Sequence, residues 1–228
     1  TLDGRETAPM AADDRLFQNH NGEPVKFWDA VISGRSVGVP GMPALMKVAH
    51  SKWGKIPWAD LFKRATVLAE SGFIVSDRLS GLLADEHHRM TSSTEAKSYF
   101  FPRGEPLAQG DVLINREYAN LMRRFADLGS VIFYVGPVAD AIVNTVRDRN
   151  GNAGLLNHDD LVNYTIKERP VICTKYRAYD VCGMGPPSSG AIGIGQILGM
   201  INFFSLGKTQ DPQTLRLIGD ATRLAFAD

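Results

Sequence analysis

Apolar positions recur at helical spacing along most of the chain. The clearest case is residues 58–71, where apolar side chains fall on one helical face and charged side chains on the other. The predicted apolar face consists of Leu61, Phe62, Ala65, Leu68 and Ala69. The same spacing predicts helices over residues 42–53, 76–89, 115–128, 136–149 and 213–228, and an apolar helix after Gly190. In helix 136–149 the predicted inward side chains are Val138, Ala141, Ile142 and Val146. Asn115 is expected to cap helix 115–128. Asn157 is expected to cap a short turn with Asp160 at the third helical position, an arrangement that resembles a capping box.

Strand signals are fewer than helix signals. Two short runs rich in β-branched and aromatic residues, 169–173 and 176–182, predict a hairpin, and the first residues are typical of a strand end. Residues 91–111, which contain prolines and glycines, are expected to be irregular. The pattern predicts a mixed α+β class that is mostly helical. We expect a single domain over residues 1–228, with a first segment over 1–15, a helical region over 26–149, and a hairpin with C-terminal helices over 150–228.

Composition excludes some classes of partner. The 228 residues are 44% hydrophobic, which is ample for a packed core. Lys+Arg and Asp+Glu are both 25, so the formal net charge is zero and the basic excess of a nucleic-acid binder is missing. The best apolar run, residues 191–204, is too short to span a bilayer and contains Gln196 and Asn202. We therefore expect no nucleic-acid partner and no membrane span.

The cysteines and the paired histidines are candidate metal ligands that the spacing does not favour. Cys173 and Cys182 match neither a disulfide framework nor a zinc pattern. Two small buried apolar side chains are the favoured interpretation, and a local disulfide within the predicted hairpin is the alternative. Adjacent histidines diverge on a helix, so His87 and His88 predict a solvated helix end. No metal site is expected.

Arg5 is the candidate substrate-binding residue. It lies between Gly4 and Glu6 in a segment closed by Pro9. Its guanidinium is permanently charged and presents a planar fork of donors that matches a carboxylate. Gly4 allows a backbone conformation that a side chain would forbid. The alternative is a surface Arg-Glu ion pair, which contributes roughly 0–1 kcal/mol.

Two further candidates concern anion binding and nucleophilic attack. Ser188 and Ser189 follow two prolines and precede the apolar helix, where exposed amides and hydroxyls would suit an anion or an oxyanion. An ordinary serine N-cap is the favoured alternative. Thr1 could act as an N-terminal nucleophile with its own amine as base, but nothing in the following residues favours that role.

Several segments, in their order along the chain, resemble a known family. The first is Arg5-Glu6-Thr7-Ala8-Pro9. The others are residues 38–41, 71–73, 160–161, 164, 169–170, 176–179, 186–190, 196–198 and 225–228. Together they resemble the large subunit of the γ-glutamyltranspeptidase family of N-terminal nucleophile hydrolases. The resemblance covers essentially the whole chain.

The resemblance implies an αββα sandwich, autoprocessed into a large and a small subunit. In that scheme the N-terminal Thr of the small subunit attacks a γ-glutamyl amide such as glutathione, and the acyl-enzyme passes its γ-glutamyl group to water or an amino acid. Arg5 would bind the α-carboxylate of the substrate, and this chain would hold no catalytic residue. The chain would be the middle-to-late part of a large subunit, with the small-subunit half as partner. No cofactor is implied.

Other interpretations stay open at the level of sequence. Ala191 replaces a glycine of the family pattern, so a related acylase or amidohydrolase acting on another carboxylate-bearing amide is the first alternative. A non-catalytic helical interaction domain is the second. The chain opens without Met and without a basic segment followed by an apolar stretch, so no signal peptide is expected within it. A periplasmic or secreted location is implied by the family, and a cytoplasmic one is the alternative.

Overall fold

The chain folds into two compact units. The structure, a computed structural model, describes residues 1–148 and 152–228. One unit, the helical unit, is Gly4–Thr165; the other, the hairpin unit, combines Thr1–Asp3 with Ile166–Asp228. The expectation of a single domain over 1–228 stays a prediction. Its internal boundary at residues 149 and 150 lies outside the described residues.

The α-helices account for most of the regular structure. In chain order they are α1 (Phe27–Val31), α2 (Met42–Trp53), α3 (Lys63–Ser71), α4 (Asp77–Asp85), α5 (His87–Met90), α6 (Thr94–Phe100), α7 (Arg116–Leu128), α8 (Pro137–Arg147), α9 (His158–Val162), α10 (Gly190–Ile201) and α11 (Pro212–Ala225). Short 3₁₀ helices occur at Gly34–Ser36, Trp58–Phe62 and Ser130–Phe133. No helix of the described residues is both long and apolar enough to cross a membrane.

The strands form antiparallel pairs. They are β1 (Leu2–Asp3), β2 (Phe73–Ile74), β3 (Val112–Leu113), β4 (Lys167–Glu168), β5 (Val171–Tyr176) and β6 (Tyr179–Met184). Strand β1 pairs with β4, β2 with β3, and β5 with β6. In the hairpin unit, Nε of Arg169 donates to Oδ2 of the buried Asp3 at 2.6 Å. This ion pair joins β1 to the residue after β4.

The strongest helix predictions are confirmed. Helix α2 has the predicted bounds, and the 58–71 prediction appears as a 3₁₀ turn followed directly by α3. Helix α7 is capped by the Asn115 side chain, which accepts from the Tyr118 N–H. The predicted helix 76–89 divides at Glu86 into α4 and α5. The predicted end of α8 at residue 149 lies outside the described residues.

Two predicted helix faces and one loop are wrong in detail. In the 58–71 segment Phe62 is buried as predicted, but the buried position on α3 is Thr66, and the predicted Leu61 and Leu68 are 48% and 53% exposed. The Thr66 hydroxyl donates to the Phe62 carbonyl at 2.9 Å, so a polar side chain is tolerated at the core position. On α8 the buried stripe is Ala139, Val143 and Val146, so Val146 is inward as predicted, whereas Ala141 is exposed. Residues 91–111 contain α6, where the Ser93 hydroxyl caps the helix by accepting from the Ala96 N–H.

The hairpin prediction is confirmed, and the cysteine prediction is wrong. Strands β5 and β6 pair in register with Cys173 directly opposite Cys182. The two residues are exposed and joined by a disulfide. Opposed positions on antiparallel strands bring Cβ atoms close together, so the pairing of the strands places the sulfurs within bonding reach. The alternative of a local disulfide is therefore correct.

The core of the helical unit nearest to Arg5 is built by α8, α9 and the bend at residues 37–41. Its buried side chains are Val39, Ala139, Val143, Val146, Leu156 and Leu161. Tyr134 and Tyr164 pack against this cluster from its edge. The segment that contains Arg5 therefore lies beside a packed core.

Candidate functional site

The Arg5 segment runs antiparallel to the bend at residues 37–41. Thr7 forms a β-bridge with Val39, in which the Val39 N–H donates to the Thr7 carbonyl at 2.9 Å. Val39 is 1% exposed and belongs to the core. The bridge therefore ties the residues that follow Arg5 to the core.

Two glycines allow the close approach of the segment to this bend. A Cβ at Gly41 would lie 2.0 Å from the Gly4 carbonyl oxygen and 2.1 Å from the Tyr164 hydroxyl oxygen. A Cβ at Gly4 would lie 2.5 Å from Cβ of Leu45 on α2. The φ of Gly4 is outside the left-handed region, so space rather than backbone conformation requires glycine there.

A pair of stacked tyrosines holds the backbone of Arg5. The Tyr164 hydroxyl donates to the Arg5 carbonyl at 2.8 Å. The Tyr164 ring stacks on that of Tyr134, with centroids 5.9 Å apart and planes at 2°. The Tyr134 hydroxyl donates to the Pro40 carbonyl at 2.7 Å and accepts from the Ala44 N–H at 3.2 Å. Burial raises the pKa of Tyr134 to about 12.

Helix α9 anchors the chain just after Pro9. The predicted capping box is confirmed: the Asn157 side chain accepts from the Asp160 N–H, and Asp160 Oδ2 accepts from the Asn157 N–H at 2.9 Å. The other oxygen, Asp160 Oδ1, accepts from the Met10 N–H at 2.7 Å. Asp160 is 5% exposed, so one buried carboxylate both caps a helix and fixes the far end of the Arg5 segment.

The Arg5 side chain itself lies at the surface of the helical unit. Its guanidinium Nε is 3.4 Å from Oε1 of Glu6, and the two side chains are 59% and 61% exposed. This is the geometry of the surface ion pair that was the alternative interpretation. A positive charge on a braced backbone is also what a carboxylate-binding site needs. The substrate-binding role of Arg5 stays a prediction.

The other candidates are less developed as sites. Ser189 stands at the N-cap position of α10 without a side-chain capping bond, and the Ser188 hydroxyl accepts from the Gly190 N–H at 3.3 Å. His87 and His88 are exposed on the short helix α5, where the His87 ring packs edge-on against Phe101. Over residues 1–148 and 152–228, no group of three or more His, Cys, Asp or Glu residues is arranged to hold a metal ion.

The supporting residues of the site escape local sequence patterns. The Tyr164 hydroxyl and the Arg5 carbonyl are separated by 159 positions in the chain. Asp160 was recognisable as part of a capping box, but its bond to Met10 was not. The one sequence signal that linked these segments is their place in the ordered family motifs at residues 38–41, 160–161 and 164. In the structure each of these motifs contacts the Arg5 segment.

Comparison with known proteins relates this geometry to a family. The sequence model described as gamma-glutamyltranspeptidase matches residues 1–228. The chain is 33% identical over 229 residues to the glutathione hydrolase proenzyme of Bacillus subtilis (strain 168) and 30% identical over 234 residues to the acylase ACY 1 proenzyme of Pseudomonas sp. (strain SE83). All of this chain is covered in both matches, but only 38% and 41% of the two relatives. The chain therefore spans well under half the length of these relatives.

The likeness extends to three dimensions. The crystal structure of Helicobacter pylori gamma-glutamyltranspeptidase superposes with a TM-score of 0.88 at 30% identity, over 99% of this chain and 64% of that one. The observed class, α+β and mostly helical, is as predicted, and it forms part of the αββα sandwich of N-terminal nucleophile hydrolases. A family match over every residue, together with this superposition, shows that the chain belongs to the γ-glutamyltranspeptidase family.

Proposed function

We propose that the complete protein containing this chain cleaves γ-glutamyl amides such as glutathione and transfers the γ-glutamyl group to water or an amino acid. The reaction would pass through a threonine acyl-enzyme. The nucleophile, its α-amine and the oxyanion hole would come from the small-subunit half, which is the proposed partner of this chain. The observation that supports the proposal is the family match over residues 1–228, which include Arg5.

Arg5 would contribute substrate binding rather than chemistry. A guanidinium can form two parallel charge-assisted hydrogen bonds with the α-carboxylate of a γ-glutamyl group. Such binding fixes the position of the carboxylate, and the carbon chain of the γ-glutamyl group then presents the γ-amide to the nucleophile. The bridge between Thr7 and Val39 and the bond from Tyr164 to Arg5 hold the backbone from which the guanidinium extends.

The test is turnover of γ-glutamyl-p-nitroanilide by the complete protein. Arg5→Ala should raise KM roughly 10- to 100-fold, because a charge-assisted hydrogen bond contributes about 1.5–3 kcal/mol. Arg15→Ala is the matched control, because Arg15 is also an exposed arginine paired with a nearby acidic residue. Its ion pair with Asp13 is at 2.9 Å, and that of Arg5 with Glu6 is at 3.4 Å. An unchanged KM in Arg5→Ala would refute the carboxylate-binding role.

A related acylase activity is the second candidate, and the similarity to the acylase ACY 1 proenzyme favours it. Glutaryl-p-nitroanilide keeps a terminal carboxylate and the scissile amide but lacks the α-amino group. Faster turnover of this compound than of γ-glutamyl-p-nitroanilide would favour an acylase. Turnover of neither compound by the complete protein would favour a non-catalytic interaction domain.

The disulfide supports a periplasmic or secreted location. Cys173 and Cys182 are exposed, and exposed disulfides persist in oxidising compartments. In protein isolated from its native host without reductant, neither cysteine should react with an alkylating reagent until a reductant is added. Alkylation of both thiols before reduction would instead indicate a reducing compartment such as the cytoplasm.

A further inference from the structure

The backbone of Arg5 is held by a side-chain contact from a distant part of the helical unit. The Tyr164 hydroxyl reaches the Arg5 carbonyl at 2.8 Å. That carbonyl belongs to the peptide plane joining Arg5 to Glu6, so the bond limits rotation about the Arg5 backbone. The direction of the bond from Cα to Cβ of Arg5 follows from that backbone conformation.

The donor is itself fixed in place. Tyr164 is half-buried, packs on the core cluster and stacks on Tyr134. Tyr134 is held at its hydroxyl by Pro40 and Ala44 at the start of α2. The ring of Tyr164 therefore cannot swing away from Arg5 without losing the stacking contact.

Gly41 completes this arrangement. Its missing Cβ leaves room for both the Tyr164 hydroxyl and the Gly4 carbonyl, which would lie 2.1 and 2.0 Å from a methyl group. The residue before Arg5 and the residue that holds Arg5 thus occupy the same small space.

We propose that Tyr164 is a positioning residue for substrate binding, acting through the backbone of Arg5. The inference rests on the proposed function, because it requires Arg5 to bind the α-carboxylate. Tyr164 would touch no substrate atom. Its hydroxyl would restrict the orientation of the Arg5 guanidinium before substrate binds, so that Arg5 loses less conformational entropy on binding.

The experiment uses Tyr164→Phe in the complete protein. Phenylalanine keeps the stacked ring and removes the hydroxyl, so the fold is preserved. One neutral hydrogen bond contributes about 0.5–1.5 kcal/mol, so KM for γ-glutamyl-p-nitroanilide should rise about 2- to 13-fold while kcat changes less than about twofold. The control is Tyr118→Phe, the same chemical change at an exposed tyrosine of α7, which should leave both constants unchanged.

A second substrate separates positioning from general damage. The 4-aminobutanoyl-p-nitroanilide lacks the α-carboxylate, so its KM should not respond to Tyr164→Phe. Equal increases of KM for both substrates, or no increase for either, would overturn the positioning role. A selective increase for the carboxylate-bearing substrate would support it.

The double variant distinguishes failure of this inference from failure of the proposed function. If Tyr164 acts through Arg5, adding Tyr164→Phe to Arg5→Ala should not raise KM further. Additive effects would overturn the inference and leave carboxylate binding by Arg5 intact. If Arg5→Ala by itself left KM unchanged, the proposed function would fail, and the positioning role with it.

Discussion

Tyr134 and Tyr164 are a pair of aromatic residues with different hydrogen-bonding tasks. Tyr164 donates to the Arg5 backbone, whereas Tyr134 donates to Pro40 and accepts from Ala44. Each hydroxyl satisfies a backbone group near the edge of the core, and a hydrogen bond of this kind contributes about 0.5–1.5 kcal/mol. The pair therefore stabilises the bend and the Arg5 segment together.

Tyr134 should make stability depend on alkaline pH. Its pKa rises from 10.0 to about 12 because burial disfavours the phenolate. Between these values the unfolded chain has lost the proton and the folded chain keeps it. The contribution of Tyr134 to stability is therefore fully present below pH 10 and is lost as pH rises toward 12.

Denaturant unfolding of the complete protein at several pH values between 10 and 12 tests this dependence. Tyr134→Phe should show a shallower loss of stability across this range than the wild type. Tyr118→Phe, at the exposed tyrosine, should keep the wild-type slope. Parallel curves for Tyr134→Phe and the wild type would contradict the prediction.

At the level of elements, α9 shows how a short helix can organise a distant segment. A five-residue helix is too short to be stable by propensity, so its cap and its packing must hold it. One carboxylate oxygen of Asp160 accepts from the Asn157 N–H at the helix cap, and the other accepts from the Met10 N–H. The helix and the Arg5 segment consequently share a single buried carboxylate.

Asp160→Ala should destabilise the complete protein by about 3 kcal/mol, since it leaves two backbone donors without their charged acceptor. Denaturant unfolding gives the free energy difference. The control is Asp159→Ala, in the same first turn but exposed, which should cost no more than about 1 kcal/mol. Similar losses for the two variants would show that the bonds of Asp160 to Met10 and Asn157 contribute little.

On the scale of the whole molecule, the hairpin unit leaves large apolar side chains exposed. Phe203 and Phe226 are 87% and 80% exposed, and Ile194 and Leu224 are more than half exposed. Helix α10 contacts β5, β6 and α11, yet much of its apolar surface stays accessible. Clusters of exposed apolar side chains are typical of surfaces that pack against another part of a protein.

Residues 1–228 produced by themselves should therefore self-associate. Sedimentation velocity should show species heavier than a monomer, increasing with concentration. Replacing Phe203 and Phe226 by Ser should reduce this association, because it removes apolar area worth about 25 cal/mol per Å². As a control, replacing the exposed Thr209 by Ser should leave the self-association unchanged. A monodisperse monomer that melts cooperatively would contradict the prediction.

Local signals were sufficient for many elements. Helix α2, the Asn115 cap, the capping box at α9 and the hairpin of β5 and β6 were all predicted. Each depends on residues within a few positions of one another, where hydrogen bonding and side-chain spacing follow from the backbone geometry. Helix α6 was missed because its seven residues are too few for a clear period.

The orientation of the helices was harder to predict. On α3 and α8 the period was correct but the buried face was displaced by about one position. Apolar residues lie on more than one side of these helices, and the neighbour decides which side is covered: α7 for α3, and α9 with residues 130–133 for α8. The disulfide was the alternative rather than the favoured prediction, because the number of residues between Cys173 and Cys182 does not show that the two lie opposite each other.

By itself the sequence determined the helical character, the caps, the hairpin and, through the order of its motifs, the family of this chain and Arg5 as its candidate binding residue. Only the tertiary structure decided what supports Arg5. The hydroxyl of Tyr164, the missing Cβ of Gly41 and the carboxylate of Asp160 come from segments far apart in the chain. Periodicity and capping act within a few residues, whereas these contacts exist only after the core has brought the bend at residues 37–41, α8 and α9 together.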